Sequence, residues 1–338
     1  MTDTFATTRR AVAAASAISP RLGGRAALAA FFSTAGRMPV RSADEATHDS
    51  ARRGAVRVRG HELVTYRWGG GDDTVLLLHG WRGRASQFGP LVRELVSEGL
   101  HVVSFDAPAH GDSPGRRTDL RDWVAATVQL QAAHGRFRAI VGHSFGGLAA
   151  LTAARQGVTT ASVAAIASAG SPAAFLSEFS DAMRLDEPTR RHFEADFRHR
   201  IGEDEASLIR RYDATADPLP ADLELLLAHD DTDRQVSPTW SLALLESHRD
   251  RARLVRTTGL GHVRLLACDP VLDAVVGLVT GGLYGVDRAT AATRTHAVEI
   301  APREAAARET ASREPALEEA AHPDSELDVP APSGTIGR

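Results

Sequence analysis

The sequence predicts an α/β fold: a mostly parallel central sheet with helices on both faces and a helical cap inserted late in the chain. Two observations carry this. Short apolar or β-branched runs alternate with stretches of helical periodicity through the middle of the chain, the pattern of a parallel sheet built from strand–helix units. Residues able to do chemistry cluster where those runs end, and open parallel sheets bind ligands at the carboxyl ends of their strands. With 338 residues, 43% of them hydrophobic, the chain is long enough for one such core, which usually takes about 200–250 residues.

Taken in order, residues 55–59 and 62–68 alternate like a polar-faced hairpin of edge strands. The runs 75–78, 101–105, 138–141, 162–167, 223–228 and 253–256 read as the inner strands. Helical spacing marks 86–97, 119–133, 145–155, 239–248 and 263–280. Between 171 and 220 the alternation stops: Phe175, Phe179 and Met183, then Phe193, Phe197 and Ile201, then Leu208, Ile209 and Tyr212 recur at helical intervals, so this interval is expected to form the cap. The core is therefore assigned to 54–170 and 221–285.

The ends differ from the middle. Residues 1–53 hold eight arginines against four acids, with alanine-rich runs. Thr8-Arg9-Arg10 followed by small apolar residues resembles a twin-arginine export signal, but Pro20, Arg21 and Arg25 interrupt the apolar stretch. The expectation is a flexible leader and a short helix packed on the domain; the alternative lays Leu28, Phe31 and Phe32 on an anionic membrane surface. From 286 to 338 alanine, glutamate, arginine and proline dominate and aromatics vanish. Such a segment buries too little apolar surface to offset its ordering entropy, so an acidic disordered tail is expected, with transient helix over 303–320.

The strongest local signal is Gly142-His143-Ser144-Phe145-Gly146. It follows a strand-like run and opens a helical one, the context that separates a nucleophile elbow from a chance match. Upstream, a buried strand pattern runs into His79-Gly80-Trp81. Downstream come the carboxylate-rich loop His229-Asp230-Asp231-Thr232-Asp233-Arg234-Gln235-Val236-Ser237-Pro238 and then Gly261-His262. The order serine, acid, histidine is that of the α/β-hydrolase triad.

With Phe105-Asp106-Ala107-Pro108-Ala109-His110-Gly111-Asp112-Ser113 as a fifth motif, the stretch from about 55 to about 283 resembles the α/β-hydrolase-fold serine hydrolases of the esterase, lipase and serine-aminopeptidase-like kind. The resemblance implies Ser144 as nucleophile, His262 as general base, and the backbone N–H groups of Trp81 and Phe145 as oxyanion donors. It also makes 171–220 a cap over the pocket. The family's acid loop reads H-G-x-x-D-x-x-V-P; counting from His229 and from Val236 both select Asp233, although Asp230 and Ser237 depart from that pattern. Asp230 is then free to cap the turn, and Asp231 to face solvent. His79, Asp106 and His110 are expected to order their loops, and His143 to bond locally.

These residues imply cleavage of a carboxylic ester or related small-molecule acyl compound. An acyltransferase, a peptidase or a non-catalytic binding member would share the fold. No H-E-x-x-H or cysteine-rich spacing suggests a metal, the chain has no lysine and hence no phosphate-binding G-x-x-x-x-G-K-[ST], and no cofactor is expected. A net charge of −4 gives no sign of a nucleic-acid partner. The single cysteine, Cys268, cannot form an internal disulfide, which fits a cytoplasmic location, and no apolar run approaches the roughly 20 residues of a membrane span.

Overall fold

A computed structural model describes residues 2–310. Three helices come first: α1 (Thr2–Ile18), α2 (Pro20–Phe31) and α3 (Ser42–Asp49). The strands are β1 (Arg52–Val58), β2 (His61–Trp68), β3 (Thr74–Leu78), β4 (His101–Phe105), β5 (Phe137–His143), β6 (Thr160–Ile166), β7 (Glu224–Asp230) and β8 (Ala252–Thr257). Between them run α4 (Gly89–Ser97), α5 (Leu120–His134), α6 (Phe145–Arg155), α7 (Pro172–Met183), α8 (Glu187–Ile201), α9 (Glu205–Tyr212) and α10 (Pro238–His248). The short α11 (Gly261–Arg264) and the long α12 (Asp269–Thr310) follow β8.

The eight strands form one sheet in the order β1-β2-β4-β3-β5-β6-β7-β8. β1 and β2 pair antiparallel, β2 joins β4 antiparallel, and every later pairing is parallel. β3 is buried along its whole length, as expected of a strand covered on both faces. Leu76, Leu78, Ile140, Val163, Leu225 and Leu227 pack under α5 and α6, while Val75, Leu77, Val141, Ile166 and Leu226 pack under α4 and α12. Strand order reverses at β3, and the carboxyl ends of β3 and β5 lie side by side there, with Leu78 opposite Gly142.

The cap is helical as expected, made by α7, α8 and α9. The N-terminal segment departs from expectation. A helix, α1, stands where a flexible leader was expected; Ser19 caps α2 by accepting from the Leu22 N–H, with Pro20 at the first helical position, where its missing N–H and fixed φ favour helix. The helix expected over 263–280 is divided, because Asp269-Pro270 starts α12 afresh. Nor does helix stop at the disorder boundary placed at 286. α12 continues to Thr310, broken at Gly282 (φ 64°, ψ −156°); the loss of aromatics at 286 marked where core burial ends, while alanine, arginine and glutamate still favour helix. The rest of that expected tail, 311–338, lies outside the described residues. Residues Asp269–Ala292 have the length and mean hydropathy (1.2) to cross a membrane, yet Val271, Ala274, Val275, Leu278 and Val279 are buried against the sheet, as in a core helix.

Candidate active site

Ser144 stands between β5 and α6 at φ 54° and ψ −122°, a region that costs a side-chain-bearing residue about 1–3 kcal/mol and persists only where the surroundings enforce it. Its N–H donates to Ile166 O at 2.8 Å, and its carbonyl accepts from Ser168 Oγ at 2.7 Å. The flanking glycines are sterically required. A Cβ on Gly142 would stand 2.2 Å from Gly146 O, and one on Gly146 would stand 2.1 Å from Leu78 O. Gly80 is also close, though less so: a Cβ there would lie 3.0 Å from Ser144 Cβ, so the turn after β3 rests against the serine.

Asp233 has a fully buried side chain. Its Oδ2 accepts from His262 Nδ1 at 2.7 Å, and its Oδ1 from the N–H groups of Gln235 (2.8 Å) and Val236 (3.2 Å). Burial pulls the carboxyl pKa upward, but the His229 and His262 donors and the Gln235 N–H outweigh it and hold the group well below the usual carboxylate range. Asp233 is therefore an anion. Since His262 Nδ1 carries the shared proton, Nε2 of that ring is left as the basic atom.

The other two acids do the work expected of them. Asp230 forms a clasp: Oδ1 accepts from Thr232 N–H (2.9 Å), and Oδ2 from Thr257 Oγ1 (2.8 Å) and Leu260 N–H (2.9 Å). It thereby ties the acid loop to the loop that carries His262. Asp231 pairs with Arg256 at 2.8 Å on the exposed side.

His143 links the elbow to the base. Its Nε2–H donates to His262 O at 2.8 Å and its Nδ1 accepts from Gln87 Nε2 at 3.0 Å, which places the two imidazoles 4.8 Å apart. Burial, then the neighbouring His262, pushes its pKa down to about 3, so it acts as a neutral spacer. His79 plays the same part at the turn after β3, donating through Nδ1 to Gly80 O (2.8 Å) and accepting through Nε2 from Ala107 N–H (3.0 Å). Burial lowers its pKa to about 4. Asp106 accepts from Ala85 N–H, Asp112 N–H and the Tyr66 hydroxyl, and His110 Nδ1 donates to Pro108 O, so both order the loop after β4.

Trp81 and Phe145 lie together. Their rings are 5.2 Å apart, edge to face, and Trp81 stacks on the buried Trp123 at 5.8 Å. Among the described residues neither backbone N–H has a hydrogen-bond partner, so both are available to an incoming oxygen.

Sequence reasoning missed three contributors. His229 stands 3.4 Å from Asp233 Oδ2 while donating to Val236 O. Glu178, on the cap helix α7, accepts from Ser237 N–H and Trp240 Nε1 and so bonds the cap to the acid loop. The N-terminal segment reaches Trp81 through Ser33. The His at the start of the acid motif was the one available sign of the first; the other two are tertiary contacts with no local pattern. A groove of about 370 Å³, lined by Arg59, Arg121, Val124, Val128 and Tyr212 among others, contains none of these residues. Among the described residues no three or more His, Cys, Asp or Glu side chains are grouped to hold a metal ion.

A strained serine between strand and helix, beside the point where strand order reverses, with an acid–histidine pair supplied after the last two strands, β7 and β8, defines the α/β-hydrolase class. The model described as the alpha/beta hydrolase family matches residues 75–325, and the chain belongs to that family. A comparison with curated proteins finds no match. Among solved structures, the chain is similar to an esterase from Pyrococcus furiosus (19% identity, 70% of this chain and 91% of that one, TM-score 0.52). It is also similar to mouse alpha/beta hydrolase domain-containing protein 10 (17%, 68% and 100%, 0.53) and to the thioesterase domain from the curacin biosynthetic pathway (14%, 68% and 99%, 0.51). At these identities the likeness is one of fold.

Proposed function

We propose that this protein is a serine hydrolase that cleaves a carboxylic ester or related small acyl compound through Ser144, His262 and Asp233. The observation that carries the proposal is the 2.7 Å hydrogen bond from His262 Nδ1 to the buried Asp233 carboxylate, made by a histidine whose carbonyl is bonded to the residue preceding Ser144.

A serine hydroxyl is a weak nucleophile until a base takes its proton. As Ser144 Oγ attacks the acyl carbon, its proton passes to His262 Nε2, and the C=O electron pair moves onto oxygen. Asp233 holds the ring in the reactive tautomer and stabilises the imidazolium without taking the proton itself. The oxyanion is received by the N–H groups of Trp81 and Phe145; losing one such donor typically costs about 2.7–4 kcal/mol of transition-state stabilisation. Collapse expels the alcohol, which takes the proton from His262 Nε2 and leaves Ser144 acylated. Water then repeats the sequence, returning the acid and free serine. No step calls for a cofactor. The test is labelling with an active-site fluorophosphonate together with a panel of esters of increasing acyl length. Labelling at Ser144 with turnover of at least one ester is expected; absence of both removes the proposal.

A further inference from the structure

The N-terminal segment belongs to neither the sheet nor the cap, yet it is bonded to the first at Trp68 and packed on the second. α2 lies against α8 at very short range: a Cβ on Gly24 would stand 2.7 Å from His192 Cβ and 2.8 Å from Phe193 N. Only a residue without a side chain permits that approach. Close packing delivers the end of α2 into the aromatic interior of the cap. Phe31 makes edge contacts with Phe179 (5.2 Å), Phe193 (5.6 Å) and Phe197 (6.0 Å). Phe32 stacks on Phe197 at 5.9 Å and 12°, and the Arg200 guanidinium covers its ring at 4.0 Å.

Beyond this anchor the chain crosses to the turn after β3. Phe32 meets Trp81 edge to face at 6.4 Å. The next carbonyl, Ser33 O, accepts from Trp81 Nε1 at 2.9 Å and from Arg82 Nε at 3.4 Å. Further on, Met38 O accepts from Arg84 and Arg37 donates to Gly111 O, so the strap is held along the loops of the catalytic edge.

We infer that Phe32 and Ser33 are positioning residues: they fix the Trp81 indole from above, and through it the backbone N–H that receives the oxyanion. This rests on the reading of Trp81 N–H as an oxyanion donor. The indole touches Trp123, Phe145 and His110, and Phe32 and Ser33 reach it from the N-terminal segment. The residue that carries the donor therefore cannot rotate while α2 stays docked. Oxyanion stabilisation depends on donors fixed before reaction, so loosening this clamp lowers kcat while substrate binding is largely kept.

Trp81→Phe keeps the backbone N–H and a ring stacked on Trp123 but removes the indole donor to Ser33. Phe32→Ala removes the wedge, and Phe32→Tyr restores it. Rates are measured per fluorophosphonate-titrated active site, so that unfolded protein does not count. Trp81→Phe and Phe32→Ala are each expected to lower kcat about tenfold with KM within about twofold, the double variant to lose much less than the product of the two, and Phe32→Tyr to recover wild-type kcat. If Phe32→Ala does not fold, Trp81→Phe alone decides by the same split. Unchanged kcat per site, multiplicative losses, or a rise in KM at constant kcat overturns the inference. Should wild type hydrolyse esters while the variants match it, only the clamp fails; should wild type neither label nor turn over, the proposed chemistry fails.

Discussion

Asp233→Asn isolates the role of the buried carboxylate, because its surroundings dictate how an asparagine would sit. Oδ1 of Asp233 accepts two backbone N–H groups, from Gln235 and Val236, and only a carbonyl oxygen can replace it there. The amide NH2 is then forced into the Oδ2 position, 2.7 Å from His262 Nδ1. Two donors cannot face each other, so the imidazole moves its proton to Nε2, and the atom that must take the Ser144 proton becomes a donor. A wrong tautomer in correct geometry costs about 10⁴ in kcat, close to 5.5 kcal/mol of barrier. KM should stay near wild type, since the acid does not touch substrate. The assay is kcat per fluorophosphonate-titrated site at pH 7 and pH 10. Partial recovery is expected at the higher pH, where hydroxide replaces the base. Asp231→Asn, which disturbs the exposed contacts with Arg256 and Thr258, should stay within about tenfold. An Asp233→Asn enzyme retaining a tenth or more of wild-type kcat, or falling less than Asp231→Asn, refutes the assignment.

Three further outcomes follow from the same geometry. Ser144→Ala should abolish labelling and turnover, while Ser144→Gly, equally inactive, should gain about 1 kcal/mol in denaturant titration because glycine accepts the positive φ; wild-type turnover in either removes Ser144 as nucleophile. Gly146→Ala forces a methyl to within 2.1 Å of Leu78 O and should cost about 3 kcal/mol or more in the same titration; an unchanged midpoint would mean the elbow can open. Burial depresses His79 to about 4 and both His110 and His143 to about 3, so between pH 6.5 and those values the unfolded chain binds protons that the fold refuses. Their contribution is present above about pH 6.5 and lost on acidification, at about 1 kcal/mol each from pH 6.5 to 5.5, roughly 3 together; stability that holds level or rises over that interval contradicts neutral burial.

The strands were legible because the inner parallel ones are short apolar runs covered on both faces, and no strand end lies more than about three residues from where the sequence placed it. The elbow was legible because its glycines are imposed by contacts within a few residues of Ser144. Counting along the acid loop by the family's pattern selected the carboxylate that bonds His262; burial alone would not have done so, because Asp230 is buried in the same loop. What could not be read were contacts made across the fold. The Ser19-Pro20 pair is a local helix start, but that α2 packs on α8 could not be read from it. His143 and Gln87, or Glu178 and Ser237, are far apart in sequence and carry no periodicity. Nor did composition distinguish the end of the core at Val286 from the end of a helix, because helix needs no buried face to persist over a few turns of alanine, arginine and glutamate.

The docking of α2 on α8 also imposes an order on synthesis. Phe31 and Phe32 leave the ribosome about 160 residues before Phe193 and Phe197, the rings that will cover them. At about 5–20 residues per second, that leaves the two phenylalanines without these cap partners for roughly 8–30 seconds on every growing chain. In that interval Trp81 is the aromatic partner of Phe32 that is made first. The packing of α2 is thus completed by a segment made much later, and a nascent chain stalled before the cap would present an incompletely paired aromatic surface to whatever binds such surfaces first.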